Sequence, residues 1–176
     1  MATAKATSTT KSSRARRTRR TGRRDPLAIS LLKKDHREVE GWFDEYEQLE
    51  DDGEKLALFN QIALALKVHT ALEEEIFYPE ERGDVEDDML DEAYVEHDGA
   101  KKLIAEIETM KPSDDYYDAK VKVLGEYIKH HVKEEEQPGG IFAQAKRGDE
   151  DLDAMGERIK VRKGELMTEM AAPKAN

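Results

Sequence analysis

The chain has 176 residues, 39% charged and 38% hydrophobic, with no cysteine and a formal net charge of −11. That length suggests one domain, and no apolar run reaches the roughly 18–20 residues that a membrane helix needs. The lack of cysteine excludes disulfides, thiolate metal sites, iron–sulfur clusters and a cysteine nucleophile, while 6% aromatic content points to an all-α protein rather than a β-sandwich.

Residues 1–24 hold nine cations and no acid, so the remainder carries 20 cations against 40 acids. This Ser-, Thr-, Ala- and Arg-rich tail cannot bury enough apolar surface to offset its ordering entropy, and disorder is the expectation. It has no apolar core of the kind a secretory signal requires. Three roles fit it: a solubilising tail lying partly on its own acidic body, an arm that neutralises nucleic-acid or other polyanion charge without reading sequence, or a transit peptide without the amphipathic pattern.

Residues 25–172 read as one helical domain. Asp25-Pro26 is a helix start, with a carboxylate N-cap before a proline. Turn signals recur at Glu50 to Gly53, Pro79 to Gly83, Lys111 to Ser113, Pro138 to Gly140, and Gly148-Asp149. They leave segments 26–50, 54–78, 86–110 and 113–137, plus a shorter fifth from about 151 to 170. Four similar helices with short connections predict an antiparallel up-down four-helix bundle. The fifth (Leu152, Met155, Ile159, Leu166, Met170) is amphipathic enough to pack on the bundle or on a second copy.

Each segment has an apolar stripe at alternating spacings of three and four. The first is Ile29, Leu32, His36, Val39, Phe43, Tyr46, and the second Phe59, Ile62, Leu66, His69, Glu73, Ile76. The third is Leu90, Ala93, His97, Ala100, Ile104, Ile107, and the fourth Tyr117, Val121, Leu124, Ile128, His131, Glu135. Every stripe carries one histidine, and two add a glutamate a turn later. Counted from the turns, the histidines differ in height by at most about 6 Å at 1.5 Å per residue. A single inward histidine is usually an ordinary hydrogen-bonded core residue. Four imidazoles and two carboxylates at one level, however, need a common cation to satisfy them. Such donors suit iron, manganese or zinc rather than copper(I). His130, about 100° around the helix from His131, reads as a surface histidine.

The stretches LLKKDHREVE, HTALEEEIFYP, EHDGAKKLIAEI and HHVKEEEQPGGIFAQAK, followed by LDAMGERIKVRKGEL, resemble the hemerythrin-like HHE cation-binding family. The resemblance covers about residues 26–170. It implies a non-haem di-iron centre, two iron ions ahead of manganese or zinc. His36, His69, His97 and His131 would be terminal ligands, with Glu73 and Glu135 as bridging carboxylates. Two positions depart from the family. Oxygen-carrying hemerythrins have a further histidine one turn after the third-helix ligand, where this chain has Lys101. That leaves a coordination position for water, hydroxide or another carboxylate, with Glu74 and Glu134 as candidates. Ala143 replaces the family's usual proline, and the adjacent Pro138-Gly139-Gly140 break predicts a loose end to the fourth helix near Glu135.

An open position beside a histidine-rich shell favours a protein that binds or senses oxygen, nitric oxide or peroxide, in stress response or iron and oxygen homeostasis. One alternative is a peroxide-decomposing enzyme at the same centre, with Glu74, Glu134 or Tyr94 as the acid–base groups within reach. Another is a metal-stabilised interaction module whose basic tail binds nucleic acid. The expected setting is cytoplasmic, away from membranes, as a monomer or weak homo-oligomer.

Overall fold

A computed structural model describes residues 24–171, and among them every regular element is helical. The helices are α1 (Leu27–Tyr46), α2 (Asp52–Leu72), α3 (Tyr78–Glu81), α4 (Asp87–Ile107), α5 (Tyr117–Glu136), α6 (Ile141–Ala145) and α7 (Leu152–Ala171). A π-helical turn, Glu73–Phe77, joins α2 to α3 without a break. Helix α1 packs on α2, α5 and α7, while α4 packs on α5 and touches α2. Most of the basic tail, residues 1–23, lies outside the described residues.

The helix starts follow local chemistry in one case and tertiary structure in another. Asp51 caps α2, its carboxylate accepting the amides of Gly53 and Glu54 at 2.9 and 3.0 Å. Asp25, expected to cap α1, instead pairs with Lys33 and Lys146, each at 3.0 Å. The Leu27 amide donates to Asp153 on α7 at 2.7 Å, so a residue 126 positions away supplies the acceptor. The fifth helix is 20 residues long, as long as α1, and it packs on α1 and α2 of its own chain. Its Leu152, Met155, Ile159 and Leu166 are buried, whereas Met170 is 40% exposed.

The stripes of α1, α4 and α5 are buried at every position the spacing picks out. In α2 the pattern fails after Glu73. Ile76 is only partly buried, and Phe77, Tyr78 and Glu81 turn inward instead. The π turn is the reason: its wider ring accommodates an extra residue and rotates every later side chain about the helix axis. The apolar core is in two halves. One half gathers Ile29, Leu32, Leu72, Phe77 and Phe142 with the inner face of α7. The other gathers Phe43, Phe59, Ile62, Ile104, Tyr117 and Leu124. Between them lies a buried layer containing Asp35, His36, His69, Thr70, Glu73, His97, His131 and Glu135.

Candidate metal centre

Within this layer the four imidazoles face one another in two pairs. His36 Nε2 is 3.0 Å from His69 Nε2, and His97 Nε2 is 3.1 Å from His131 Nε2. Glu73 reaches into both pairs, with Oε2 at 3.2 Å from His69 Nε2 and 3.4 Å from His97 Nε2. Glu135 Oε2 lies 3.3 Å from His36 Nε2 and 3.7 Å from His131 Nε2, without hydrogen-bond geometry to either. The ligating atoms form two overlapping groups, His36–His69–Glu73–Glu135 and Glu73–His97–His131, that could each hold an ion. All six residues singled out from the stripes therefore meet in one place. Glu74 and Glu134 belong to neither group.

The outward nitrogens explain the orientation of the rings. Glu136 lies 2.8 Å from His36 Nδ1, Glu74 lies 3.0 Å from His97 Nδ1, and Glu96 lies 2.8 Å from His131 Nδ1. Asp35 stands 3.7 Å from His69 Nδ1, beyond hydrogen-bond length. Each of these carboxylates is a sequence neighbour of one core residue and faces a histidine of a different helix, three of them by a hydrogen bond. The order runs α1 to α2, α2 to α4, α4 to α5, and α5 back to α1. A carboxylate on Nδ1 fixes the proton there and turns the Nε2 lone pair inward. The ring is supported from outside: Lys101 donates to both Glu74 oxygens at 2.6 Å, Arg37 pairs with Glu136, and Lys163 of α7 pairs with Asp35. Lys101 thus secures the partner of His97.

Asp35, Glu96, Glu136 and Tyr78 do not stand out in the sequence, whereas Glu74, a candidate there for the open coordination position, pairs instead with His97 Nδ1. The Tyr78 hydroxyl donates to Glu135 Oε1 at 2.9 Å and lies 3.4 Å from both Glu73 Oε2 and His97 Nε2. The available signal for the carboxylates was an acid beside Glu73, Glu135, His36 and His97, diluted among 40 acids. The end of α5 is not loose. A Cβ on Gly140 would stand 2.1 Å from the Glu134 carbonyl oxygen, so the chain packs directly against the helix end. Phe142 stacks on His36, with ring centroids 5.7 Å apart.

Charge is concentrated here. Burial opposes a charged His69, but the Glu73 and Asp35 carboxylates outweigh it and raise its pKa to about 10. Burial likewise opposes charge on His97, which Glu73 and Glu74 push up to about 8. The Glu73 carboxyl, despite burial that would raise it, is held well below the usual range by His69 and His97. Burial, with the Glu135 and Glu73 charges, drives the Tyr78 phenol well above its ordinary value. Glu73 Oε1 and Glu135 Oε2 have no hydrogen-bond partner among the described residues. Facing lone pairs and orphaned carboxylate oxygens in a dry layer are satisfied by protons or by cations. The nitrogen and oxygen donor set fits a transition-metal pair.

Comparison with known proteins agrees with a cation-binding domain. Among solved structures, the chain resembles an HHE cation-binding-domain-containing protein from Mycobacterium kansasii, with a TM-score of 0.69 and 20% identity. The alignment covers 81% of this chain and 88% of that one, and the likeness is one of fold. A curated relative from Nostoc sp., named as a DNA nickase, is 30% identical over 106 residues, which are 60% of this chain but only 30% of that protein. Residues 27–138 match the Hemerythrin HHE cation binding domain, a span that contains all four inward histidines and both glutamates. By that match the chain belongs to the hemerythrin HHE cation-binding domain family.

Proposed function

We propose that this protein holds two non-haem iron ions in the buried layer and binds or senses a small oxidant there: oxygen, nitric oxide or peroxide. The observation that carries this reading is the pair of facing imidazole couples with Glu73 common to both. His36, His69, Glu73 and Glu135 would hold one ion and His97, His131 and Glu73 the other, with the Tyr78 hydroxyl as a further oxygen donor. Four nitrogens to two carboxylates contrasts with the glutamate-rich shell of ferritin-like oxidases and favours ligand binding over high-valent oxidation. When bound, the ions supply an exchangeable coordination position and electrons.

The chain's own residues set what reaches them. Val39, Leu66, Ile128 and Val132 wall a cavity of about 20 Å³ beside the four rings. That is near the minimum for a single water-sized molecule, which suits a diatomic ligand or peroxide. The Nδ1 carboxylates hold the rings in register, and the two apolar halves keep bulk water out. The matching architecture would be an antiparallel up-down bundle spanning residues 25–172. The test is metal content together with ultraviolet–visible spectra, aerobic and after anaerobic reduction. Two irons per chain, with bands that bleach on reduction and return in air, are expected; zinc alone or no metal would overturn the reading. Oxygen evolution from peroxide above that of free iron would shift it toward the peroxide-decomposing enzyme.

The nine cations of residues 1–24 and the relative named as a DNA nickase favour a second reading, a metal-stabilised module whose tail contacts nucleic acid. DNA binding titrated with salt should then depend on residues 1–24, with the affinity falling steeply as salt rises. Equal, negligible binding with and without the tail would exclude it.

A further inference from the structure

One histidine is left over from the core. His130 points outward from α5 with its side chain 63% exposed, 3.2 Å from Glu134 and 3.7 Å from Glu96 through Nε2. One ligating atom from each of the three residues lies within 4.8 Å of the other two. Among the described residues, neither carboxylate pairs with a lysine or arginine. Isolated surface pairs of this kind contribute little, and exposed acidic groups commonly cluster without binding anything.

Two observations set this group apart. Glu96 is shared between inside and outside, because Oε1 faces His130 while Oε2 bonds His131 Nδ1 at 2.8 Å. A cavity of about 100 Å³ also lies beside this group, lined by Glu92, Gln137, Glu96, Glu134, His131 and Glu135 with three apolar side chains, though not by His130 itself. Its lining combines exposed Glu92 and Gln137, half-buried Glu96 and Glu134, and buried His131 and Glu135. Of these, Glu135 is fully buried and keeps Oε2 without a hydrogen-bond partner. Carboxylates lining such a cavity offset the cost of desolvating a cation.

We propose that His130, Glu96 and Glu134 form a solvent-facing divalent transition-metal site that captures the ion and passes it along the carboxylate-lined cavity to the core. The capture site stands on its own geometry; the delivery step rests on the core being a metal centre. Imidazole with two carboxylates suits Fe²⁺, Mn²⁺ or Zn²⁺, and the open side toward solvent makes the site exchangeable.

The full-length protein, His130→Ala and Glu134→Gln are compared by equilibrium dialysis against Zn²⁺ and by the rate of anaerobic Fe²⁺ uptake. Wild type should bind one more Zn²⁺ than either variant, and both variants should take up iron more slowly yet reach the same final core content. Equal Zn²⁺ stoichiometry in all three overturns the capture site. A one-ion difference with unchanged uptake rates overturns delivery. A wild type that binds one Zn²⁺ and loses it in His130→Ala leaves the capture site standing, and overturns both delivery and the core reading on which it rests.

Discussion

Helices α2 and α5 carry the same His-x-x-x-Glu motif, yet they leave the centre by different routes. Helix α5 stays regular through Glu135 and stops at Glu136, where Gly140 closes against its last carbonyls. Helix α2 widens into a π turn at Glu73 and runs on to Glu81. One motif therefore ends in a tight stop, and the other is extended by a residue so that a phenol reaches Glu135 from the opposite side. The spacing that selects the six buried residues does not govern the chain beyond them, and the asymmetry of the layer arises there.

The most severe way to break this arrangement is His69→Ala. It leaves the fully buried Glu73 without its own-helix partner, and loss of one member of a buried pair costs about 3–5 kcal/mol. Denaturant unfolding of the metal-free chain measures that loss, and metal analysis should show iron content falling with it. The pH response comes next. His69 and His97, raised from 6.5 to about 10 and about 8, bind protons more tightly folded than unfolded. Their contribution to the metal-free fold is complete below pH 6.5 and is lost as pH climbs through about 8 and then about 10. Metal must displace those same protons, so metal affinity should rise over the window in which metal-free stability falls. Denaturation midpoints and metal affinities measured between pH 6.5 and 9 check the opposed trends, and parallel trends would contradict the assignment.

Tyr78→Phe keeps the ring but removes the hydroxyl that the π turn brings in. A hydrogen bond to a charged group contributes about 1.5–3 kcal/mol, and unfolding of the metal-free variant should show a loss in that range. Glu136→Gln tests the α5 side, where weakening an outer partner of a ligand should reduce metal affinity about 10- to 100-fold. The reduction is read by competition with a chelator, and an unchanged affinity would mean that the His36 ring is oriented by packing on Phe142 alone. The smallest effect is expected at Asp153→Ala, which removes the acceptor of the α1 amide and should cost about 0.5–2 kcal/mol in thermal or chemical unfolding.

The sequence made the stripes legible because a repeat of three and four needs only local chain geometry. It brought His36, His69, Glu73, His97, His131 and Glu135 to one level for the same reason. Ile76 was misplaced because a π turn changes the count within the helix, and no residue type marks it. Asp25 resembled a cap by its neighbour Pro26, but Lys33 and Lys146 take its carboxylate while Asp153 takes the amide. Asp35, Glu96 and Glu136 are hidden by abundance, since an acid adjacent to a core histidine or glutamate is inconspicuous in so acidic a chain. Lys101, a departure from the family at the level of sequence, becomes intelligible once Glu74 is seen between it and His97.

The circular order of the outer carboxylates also bears on how the chain assembles. Asp35, Glu74 and Glu96 each reach a histidine at most 35 positions away. Glu136 must reach His36 across 100 positions. Short-range links form at lower loop-closure cost than long-range ones. A chain emerging from its N-terminus can thus form the Glu74–His97 hydrogen bond and bring Asp35 beside His69 before α5 exists, and the other two contacts wait for that helix. Of these, Glu96 to His131 joins helices adjacent in sequence, whereas Glu136 has to be carried back to α1. That last contact acts as a latch, so the His36 ring gains its Nδ1 partner only after the C-terminal end of α5 has docked beside α1.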